Sequence, residues 1–183
     1  MEYVLAITGA SGLAYGVDIL KKLPSKKVLI ISSGALEVAR YELKGRVNEK
    51  TLKSYADESY DEDDFGSPVA SGSHKYDALI IAPASMNTIG KIAAGISDNL
   101  VTRVASIALK ERRKLVIVFR EMPLSTIHLR NLLTLSEAGA YILPASPGFY
   151  HGPAKLEDLL SFVTSRVFDI IGVENKLIKR WGD

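Results

Sequence analysis

Continuous apolar runs alternate along this chain with segments whose apolar residues recur at helical spacing. The continuous runs are typical of buried strands and predict strands over residues 4–7, 27–31, 77–82, 115–119 and 141–143. The helical spacing predicts helices over residues 13–23, 35–43, 88–94, 99–109, 125–138 and 156–171. Strands that are apolar throughout and alternate with helices are typical of a parallel sheet covered on both faces. The pattern therefore predicts an α/β fold built on a single parallel sheet.

One stretch departs from this pattern. Residues 44–76 are polar, and we expect them to be irregular. They include an acidic run over residues 57–64, which we interpret as a solvated loop. A metal site is less favoured there, because adjacent carboxylates without a histidine seldom converge on one ion. Residues 65–73 are rich in hydroxyls and glycine and are expected to form a flexible loop.

The composition and net charge of the chain exclude several classes of function. The 183 residues are enough for one domain over residues 1–183, and 47% apolar with 24% charged residues is ordinary for a globular protein. A net charge of +2 gives no reason to expect a nucleic-acid partner. The lack of cysteine excludes disulfides, thiolate metal sites and a cysteine nucleophile. No secretion signal or membrane-spanning stretch is found, so the expected location is the cytoplasm, with no membrane partner.

The first predicted strand is followed by a turn with two glycines, Thr8-Gly9-Ala10-Ser11-Gly12, and then by a helix. This order can aim backbone N–H groups and the positive end of a helix dipole at a phosphate. The glycines allow close backbone approach, and Ser11 adds a hydroxyl. We interpret the turn as a phosphate or nucleotide site. The alternative is a tight turn without a ligand, since the spacing is not that of the dinucleotide fingerprint.

Polar residues also follow the other predicted strands, where ligands of such sheets bind. The residues at these ends are Ser11, Ser32, Ser85, Arg120, Glu121 and the loop 147–150. Glu121 directly follows a buried strand, where a carboxylate can act as a general acid or base. The alternative is an ion pair with Arg120 or Arg103. Arg120 can be structural or can fork onto a phosphate.

The three histidines form no metal signature. His74, His128 and His151 are scattered and have no matching carboxylates or cysteines. His128 lies within a predicted helix, which favours a packing role. Tyr150 is interpreted either as a packed aromatic or as a hydroxyl donor to a phosphate. Lys110 and the basic turn that it opens are typical of a solvated face.

Several segments spread over nearly the whole chain form a recognisable set. They are Thr8-Gly-Ala-Ser-Gly12 with Tyr15-Gly16, Ala108-Leu-Lys-Glu-Arg-Arg113, Arg120-Glu-Met-Pro-Leu-Ser-Thr-Ile-His-Leu-Arg-Asn131, Pro147-Gly-Phe-Tyr-His151 and Lys179-Arg-Trp-Gly182. With them the chain resembles the UbiX-type flavin prenyltransferases, formerly called aromatic acid decarboxylases. The segments 120–131 and 147–151 are specific, whereas the glycine turn alone is not.

The resemblance implies a flavodoxin-like or Rossmann-like sheet, with helices on both faces, that binds reduced FMN. A dimethylallyl group is then expected to pass from dimethylallyl phosphate to N5 and C6 of the flavin, without a metal. The product, prenylated FMN, would serve a partner decarboxylase. The resemblance also implies a homo-oligomer built on trimers, up to a dodecamer, with sites shared between subunits.

The resemblance further assigns roles by position. The flavin-binding positions are Gly9, Ala10, Ser11, Ser32, Ser85, Met86, Thr88, Arg103 and Arg120. Glu42 and Glu121 fall on the acidic positions near the reacting flavin, and Ser11 on a catalytic position beside them. The positions that hold the prenyl phosphate are Lys110, Arg120, Tyr150 and Arg166. Phe65 stands where relatives carry a tryptophan, so an aromatic wall against the isoprenyl group is expected.

Three other functions stay open. The flavin-dependent cysteine decarboxylases share this fold, and residues 83–88, Lys91 and residues 98–100 are similar to both groups. That activity needs a histidine further upstream of the third strand than His74, and that group lacks the segment 120–131. A nicotinamide dehydrogenase would carry an acidic residue at the end of the second strand, where Ser32 and Ser33 stand. A non-catalytic flavin carrier is the third alternative.

Overall fold

The computed structural model describes residues 1–44 and 47–182, and a six-stranded parallel sheet lies at its centre. The strands are β1 (Glu2–Ile7), β2 (Lys26–Ile31), β3 (Glu58–Asp61), β4 (Ala78–Ala84), β5 (Lys114–Phe119) and β6 (Tyr141–Pro144). Their order across the sheet is β3-β2-β1-β4-β5-β6, and every neighbouring pair is parallel. This is the strand order of a doubly wound Rossmann-type sheet, so the predicted fold class is confirmed.

Seven α-helices are described around the sheet. They are α1 (Leu13–Lys22), α2 (Ser33–Glu42), α3 (Glu49–Lys53), α4 (Met86–Ala93), α5 (Leu100–Lys110), α6 (Thr126–Glu137) and α7 (Leu156–Ile171). A short 3₁₀ turn spans Pro68–Ala70. None of the helices in the described ranges combines the length and the apolar character needed to cross a membrane.

Alternate side chains of each strand face opposite sides of the sheet. In β1, Tyr3, Leu5 and Ile7 pack with residues of α1 and α7, whereas Val4 and Ala6 pack with residues of α4, α5 and α6. All five side chains are fully buried. A strand that is buried on both faces must be apolar at every position, which is why the central strands are recognisable as continuous apolar runs.

The interpretation of residues 57–64 as a solvated loop is wrong for the first part of the run. Glu58–Asp61 form β3, which pairs with β2 from Val28 to Ile31 and is an edge strand of the sheet within the described residues. An edge strand of four residues can carry charges, because its outer side faces solvent. The polar region 44–76 is also less irregular than expected, since it contains α3 and the 3₁₀ turn. Residues 45 and 46 of that region lie outside the described residues.

Gly16 lies where α1 crosses β4, and it gives a prediction about the fold. A Cβ at Gly16 would lie 2.1 Å from the carbonyl oxygen of Ala82, which is backbone and cannot rotate away. We expect Gly16→Ala to lower the free energy of unfolding by about 3 kcal/mol or more, as overpacking does at a rigid contact. Urea unfolding measures this quantity.

The matched control is Gly90→Ala, another glycine within a helix. A Cβ at Gly90 would lie 3.4 Å from the side-chain amide of Asn131, which has room to adjust. The gain in helix propensity then leaves stability within about 1 kcal/mol of the parent. Equal free energies of unfolding for the two variants would contradict this packing.

Candidate active site

A cleft opens at the carboxyl edge of the sheet, between β1 and β4. The strand order changes direction at this point, because later strands are added outward from β1 on one side and outward from β4 on the other. The volume of the cleft is about 310 Å³. The residues that line it are Thr8, Gly9, Ser32, Ser33, Gly34, Glu62, Ser85, Asn87, Thr88, Lys91 and Asn99. Ligands of doubly wound sheets bind at this switch point. We call it the switch-point cleft.

Thr8 joins β1 to β4 at the base of the switch-point cleft. Its hydroxyl donates to the carbonyl of Pro83 at 2.8 Å and accepts the N–H of Ser85 at 2.8 Å. Thr8 is only 2% exposed. The sequence pattern alone did not assign Thr8 a role, although its place directly after β1 could have indicated one. Thr8 fixes the start of α4 relative to the glycine turn.

Ser85 and Thr88 place two hydroxyls at the N-terminus of α4. The Ser85 hydroxyl oxygen accepts the N–H of Thr88 at 3.2 Å and lies 2.9 Å from the Thr88 hydroxyl. Met86 lies between them in the first turn. Lys91 also lines the switch-point cleft and pairs with Asp98 at 2.6 Å. This corner therefore offers hydroxyls, helix N–H groups and a cation to an anionic group.

Gly9 and Gly34 bring the loops after β1 and β2 into contact. A Cβ at Gly9 would lie 2.9 Å from both the Cα and the carbonyl carbon of Gly34, so a larger residue would force the loops apart. Ser32 caps α2 by accepting the N–H of Ala35 at 3.1 Å. Two of the predicted flavin-binding positions, Gly9 and Ser32, are thus brought together by backbone packing.

Glu62 lines the switch-point cleft and was missed by the sequence interpretation. One carboxylate oxygen accepts the N–H and the hydroxyl of Ser33, at 2.7 and 2.6 Å, and the other accepts the side-chain amide of Asn99 at 3.0 Å. Glu62 therefore ties the start of α2 to the start of α5. It comes directly after β3, so recognition of that strand would have placed Glu62 at the carboxyl edge.

The N-terminus of α1 is occupied by the carboxylate of Glu42. It accepts the N–H groups of Gly12 and Leu13, each at 3.0 Å. These are the N–H groups that the glycine turn was expected to aim at a phosphate. That expectation is wrong for them, because a side chain of the protein already supplies the anion that a helix N-terminus favours. Glu42 lies next to Ser11 as a result.

Arg120 leaves β5 and reaches the glycine turn, where its Nε donates to the carbonyl of Ser11 at 3.3 Å. The charge of Arg120 also affects the pKa of Tyr15. Burial raises the pKa of the Tyr15 phenol, and the Arg120 guanidinium opposes part of that rise. Ser11, Tyr15, Glu42 and Arg120 thus form one polar cluster beside the switch-point cleft, which we call the glycine-turn cluster.

Glu121 is exposed in the single chain, which the sequence interpretation did not anticipate. Its carboxylate accepts the N–H of Met122 at 3.1 Å. Within residues 1–44 and 47–182 the alternative ion pair is not formed either, since Arg120 donates to Ser11 and Arg103 donates to the carbonyl of Ala70. Any desolvation of Glu121 has to come from a bound ligand or from a neighbouring subunit.

A second group of predicted residues lies beyond β6. Tyr150 makes edge contacts with the rings of Phe162 and Trp181, with centroid distances of 5.7 and 5.2 Å. Arg166 lines a small cleft beside the end of β6 and pairs with Asp169 at 2.8 Å. Tyr150 therefore packs against two rings while staying 46% exposed, and the contact of its hydroxyl with a phosphate stays a prediction.

Lys110 and Phe65 lie apart from these groups. Lys110 ends α5 at the amino edge of the sheet and pairs with Glu111 at 2.6 Å. The six residues of β5, roughly 20 Å long at about 3.3 Å per residue, separate that edge from Arg120. The single chain therefore does not bring Lys110 to the phosphate position. Phe65 is 47% exposed in the loop after β3.

Two histidines take structural positions. The Nε2 of His74 lies 2.6 Å from Glu2 at the amino edge of the sheet, so His74 is remote from the switch-point cleft. His128 lies within a helix, as predicted, although near its start rather than in its middle. It is the third residue of α6, and it exchanges hydrogen bonds with Ser125 in a capping box. Among the described residues, no group of three metal-binding side chains converges.

Comparisons with known proteins agree on one family. The family model described as Flavoprotein matches residues 1–168. A flavin prenyltransferase UbiX of Thermoplasma acidophilum is 50% identical over 182 residues, which cover 99% of this chain and 100% of that protein. The crystal structure of AnUbiX (PadA1) in complex with FMN and dimethylallyl pyrophosphate has a TM-score of 0.95 and 37% identity, covering 100% of this chain and 97% of that one. A dodecameric FMN-dependent UbiX-like decarboxylase of Escherichia coli O157:H7 also has a TM-score of 0.95, with 38% identity over 100% of both chains.

Proposed function

This chain belongs to the UbiX-type flavin prenyltransferase family, and from that premise we propose that it joins a dimethylallyl group to N5 and C6 of reduced FMN. The family resemblance seen in the sequence is thereby confirmed. The observation that carries the proposed activity is the position of the glycine-turn cluster beside the switch-point cleft. The proposed flavin site and the charged groups that can act on the flavin therefore lie at the same edge of the sheet.

The switch-point cleft fits a flavin mononucleotide chemically. Ser32, Ser85 and Thr88 supply hydroxyls for phosphate and ribityl oxygens, with Lys91 as a nearby cation. Because Glu42 and Glu62 already bind the first N–H groups of α1 and α2, we assign the phosphate to the N-terminus of α4. The remaining positions proposed to contact the flavin are Gly9, Ala10, Ser11, Met86, Arg103 and Arg120.

The prenyl donor is proposed to bind through its phosphate to Arg120, Tyr150 and Arg166. Breaking an allylic C–O bond builds negative charge on the departing phosphate, and fixed cations stabilise it without reorganising. Lys110 joins this receptor only from a neighbouring subunit, since its own chain holds it at the opposite edge. AnUbiX holds dimethylallyl pyrophosphate, so both the monophosphate and the diphosphate are candidate donors here.

Proton transfer is assigned to Glu121. The bond to C6 leaves a proton on that ring carbon, and a carboxylate within reach can remove it. Glu42 is the second candidate, held beside Ser11 by the N–H groups of α1. The aromatic ring of Phe65 is proposed to line the pocket for the isoprenyl group.

The proposal includes a homo-oligomer built on trimers, up to a dodecamer. Leu129 and Leu133, one turn apart on α6, are 53 and 58% exposed, and exposed apolar side chains that lie close together mark interfaces. A neighbouring subunit would also supply Lys110 and cover Glu121. We place this enzyme in the cytoplasm as a single flavoprotein domain over residues 1–183, where its product serves a prenylated-FMN-dependent decarboxylase.

Cofactor binding is the first test of the proposal. We expect FMN to bind far more tightly than NAD or FAD, because the switch-point cleft offers hydroxyls for a single phosphate and the acidic Glu62 is already engaged by Ser33 and Asn99. Ser85→Ala should lower the affinity for FMN by about tenfold or more, the scale of a hydrogen bond to a charged group. Flavin fluorescence titration measures both quantities.

Ser136→Ala is the control, since Ser136 is exposed near the end of α6 and should not affect FMN. Binding of NAD as tight as that of FMN would contradict the assignment of the cleft.

A further inference from the structure

The last helix and the C-terminal tail, residues 173–182, meet at the carboxylate of Asp169. Arg180 of the tail forks onto Asp169, with Nη1 donating to Oδ2 and Nη2 to Oδ1, each at 2.7 Å. Arg166 lies three residues earlier in α7 and donates from Nη1 to the same Oδ2 at 2.8 Å. One carboxylate therefore holds two guanidinium groups from different segments.

Further contacts fix the carboxylate itself. The Asn175 side-chain amide donates to Asp169 at 3.2 Å, and the Asn175 oxygen accepts the hydroxyl of the buried Ser165 at 2.8 Å. The hydrogen bonds from Arg180 lower the pKa of Asp169, against a smaller opposing effect of burial, so the carboxylate is charged at neutral pH. Forked arginine–carboxylate pairs of this kind are specific in direction as well as strong.

The Asp169–Arg180 pair anchors the residue directly before Trp181. The Trp181 ring packs edge-on against Tyr150 at a centroid distance of 5.2 Å, and Tyr150 in turn packs on Phe162. His151 stacks on Phe162 at 5.2 Å, and its two buried ring nitrogens have no hydrogen-bond partner among the described residues. The loop that carries Tyr150 is thus held here by ring packing against α7 and the tail.

We propose that Asp169 is a positioning residue for the prenyl-phosphate receptor, holding Arg166 directly and Tyr150 through Arg180 and Trp181. This inference rests on the proposed function, in which Arg166 and Tyr150 bind the donor phosphate. Asp169 contacts only one Nη of Arg166, and a guanidinium has five N–H donors, so others are available to a ligand. Donors that are already oriented bind and stabilise a departing phosphate without the cost of ordering them.

The test is Asp169→Asn, which keeps the size of the side chain and removes its charge. We expect the KM for dimethylallyl phosphate to rise about tenfold, with a smaller change in kcat and an unchanged affinity for FMN. Asp169→Glu restores the charge and should recover part of the KM. Glu174→Gln is the matched control, because it removes a carboxylate from an exposed position of the same tail.

A second measurement does not depend on turnover. Trp181 is the only tryptophan in the sequence, so the anisotropy of tryptophan emission from the flavin-free protein reports the mobility of the tail. Asp169→Asn and Arg180→Lys should lower this anisotropy, and Glu174→Gln should not. An unchanged anisotropy and an unchanged donor KM in Asp169→Asn would overturn the inference, as would a loss confined to FMN affinity. If the parent protein prenylates no flavin, the proposed function fails, and the anisotropy still decides whether Asp169 fixes the tail.

Discussion

Replacing Glu121 by glutamine is expected to lower the rate of prenylated FMN formation about 10²-fold or more and to leave FMN binding unchanged. An effect of this size is expected when a positioned general base is removed. Glutamine keeps the shape of the side chain and its hydrogen bond with Met122 N–H but cannot accept the proton from C6. Single-turnover reactions under anaerobic conditions, with product quantified after quenching, measure the rate.

Glu137→Gln is the control for this variant, because Glu137 is an exposed carboxylate at the end of α6. Near-normal turnover of Glu121→Gln would assign the base elsewhere, with Glu42 next. Glu42→Gln should also lower the stability of the protein, since the carboxylate that binds the N–H groups of Gly12 and Leu13 loses its charge.

Removing a cation from the phosphate receptor is the second change with a large expected effect. Arg120→Ala and Arg166→Ala should each weaken the use of the prenyl phosphate by about 1.5–3 kcal/mol, the scale of a hydrogen bond to a charged group. Both should largely spare the affinity for FMN, because the flavin phosphate is assigned to the N-terminus of α4 and Arg120 is only one of many proposed flavin contacts. Tyr150→Phe should act in the same direction more mildly. The KM for the donor, measured at saturating reduced FMN, gives these values.

The control is Arg112→Ala, which removes an equal charge from the exposed turn before β5. If Arg120→Ala and Arg166→Ala lost FMN and kept their affinity for the donor, the two arginines would belong to the flavin phosphate instead.

The central strands could be predicted from the sequence because burial on both faces demands an apolar residue at every position. β3 could not, because its sequence Glu-Ser-Tyr-Asp is polar and its pairing with β2 joins residues about thirty positions apart. Because β3 was not predicted, one residue of the candidate site was not recognised either. Glu62 follows β3 directly, so a loop assignment hid the carboxylate that ties Ser33 to Asn99.

The candidate site, like the fold, could be predicted from the sequence only in part. The rule that ligands bind at the carboxyl ends of parallel strands located Ser32, Ser85 and Arg120 correctly at one edge of the sheet. It could not show that Glu42, thirty residues from Gly12, occupies the N-terminus of α1. Nor could it show that Lys110 lies at the opposite edge, since that depends on α5 running back toward the amino ends of the strands.

The most direct test of the proposed function is mass spectrometry of the flavin released after anaerobic incubation of the protein with reduced FMN and a prenyl donor. Dimethylallyl phosphate and dimethylallyl diphosphate are supplied in separate reactions. The proposal predicts FMN that carries one five-carbon prenyl unit with at least one of the two donors, and none in reactions without protein. Recovery of only unmodified FMN with both donors, from protein that binds FMN tightly, would contradict it and favour the flavin carrier or the flavin-dependent cysteine decarboxylase instead.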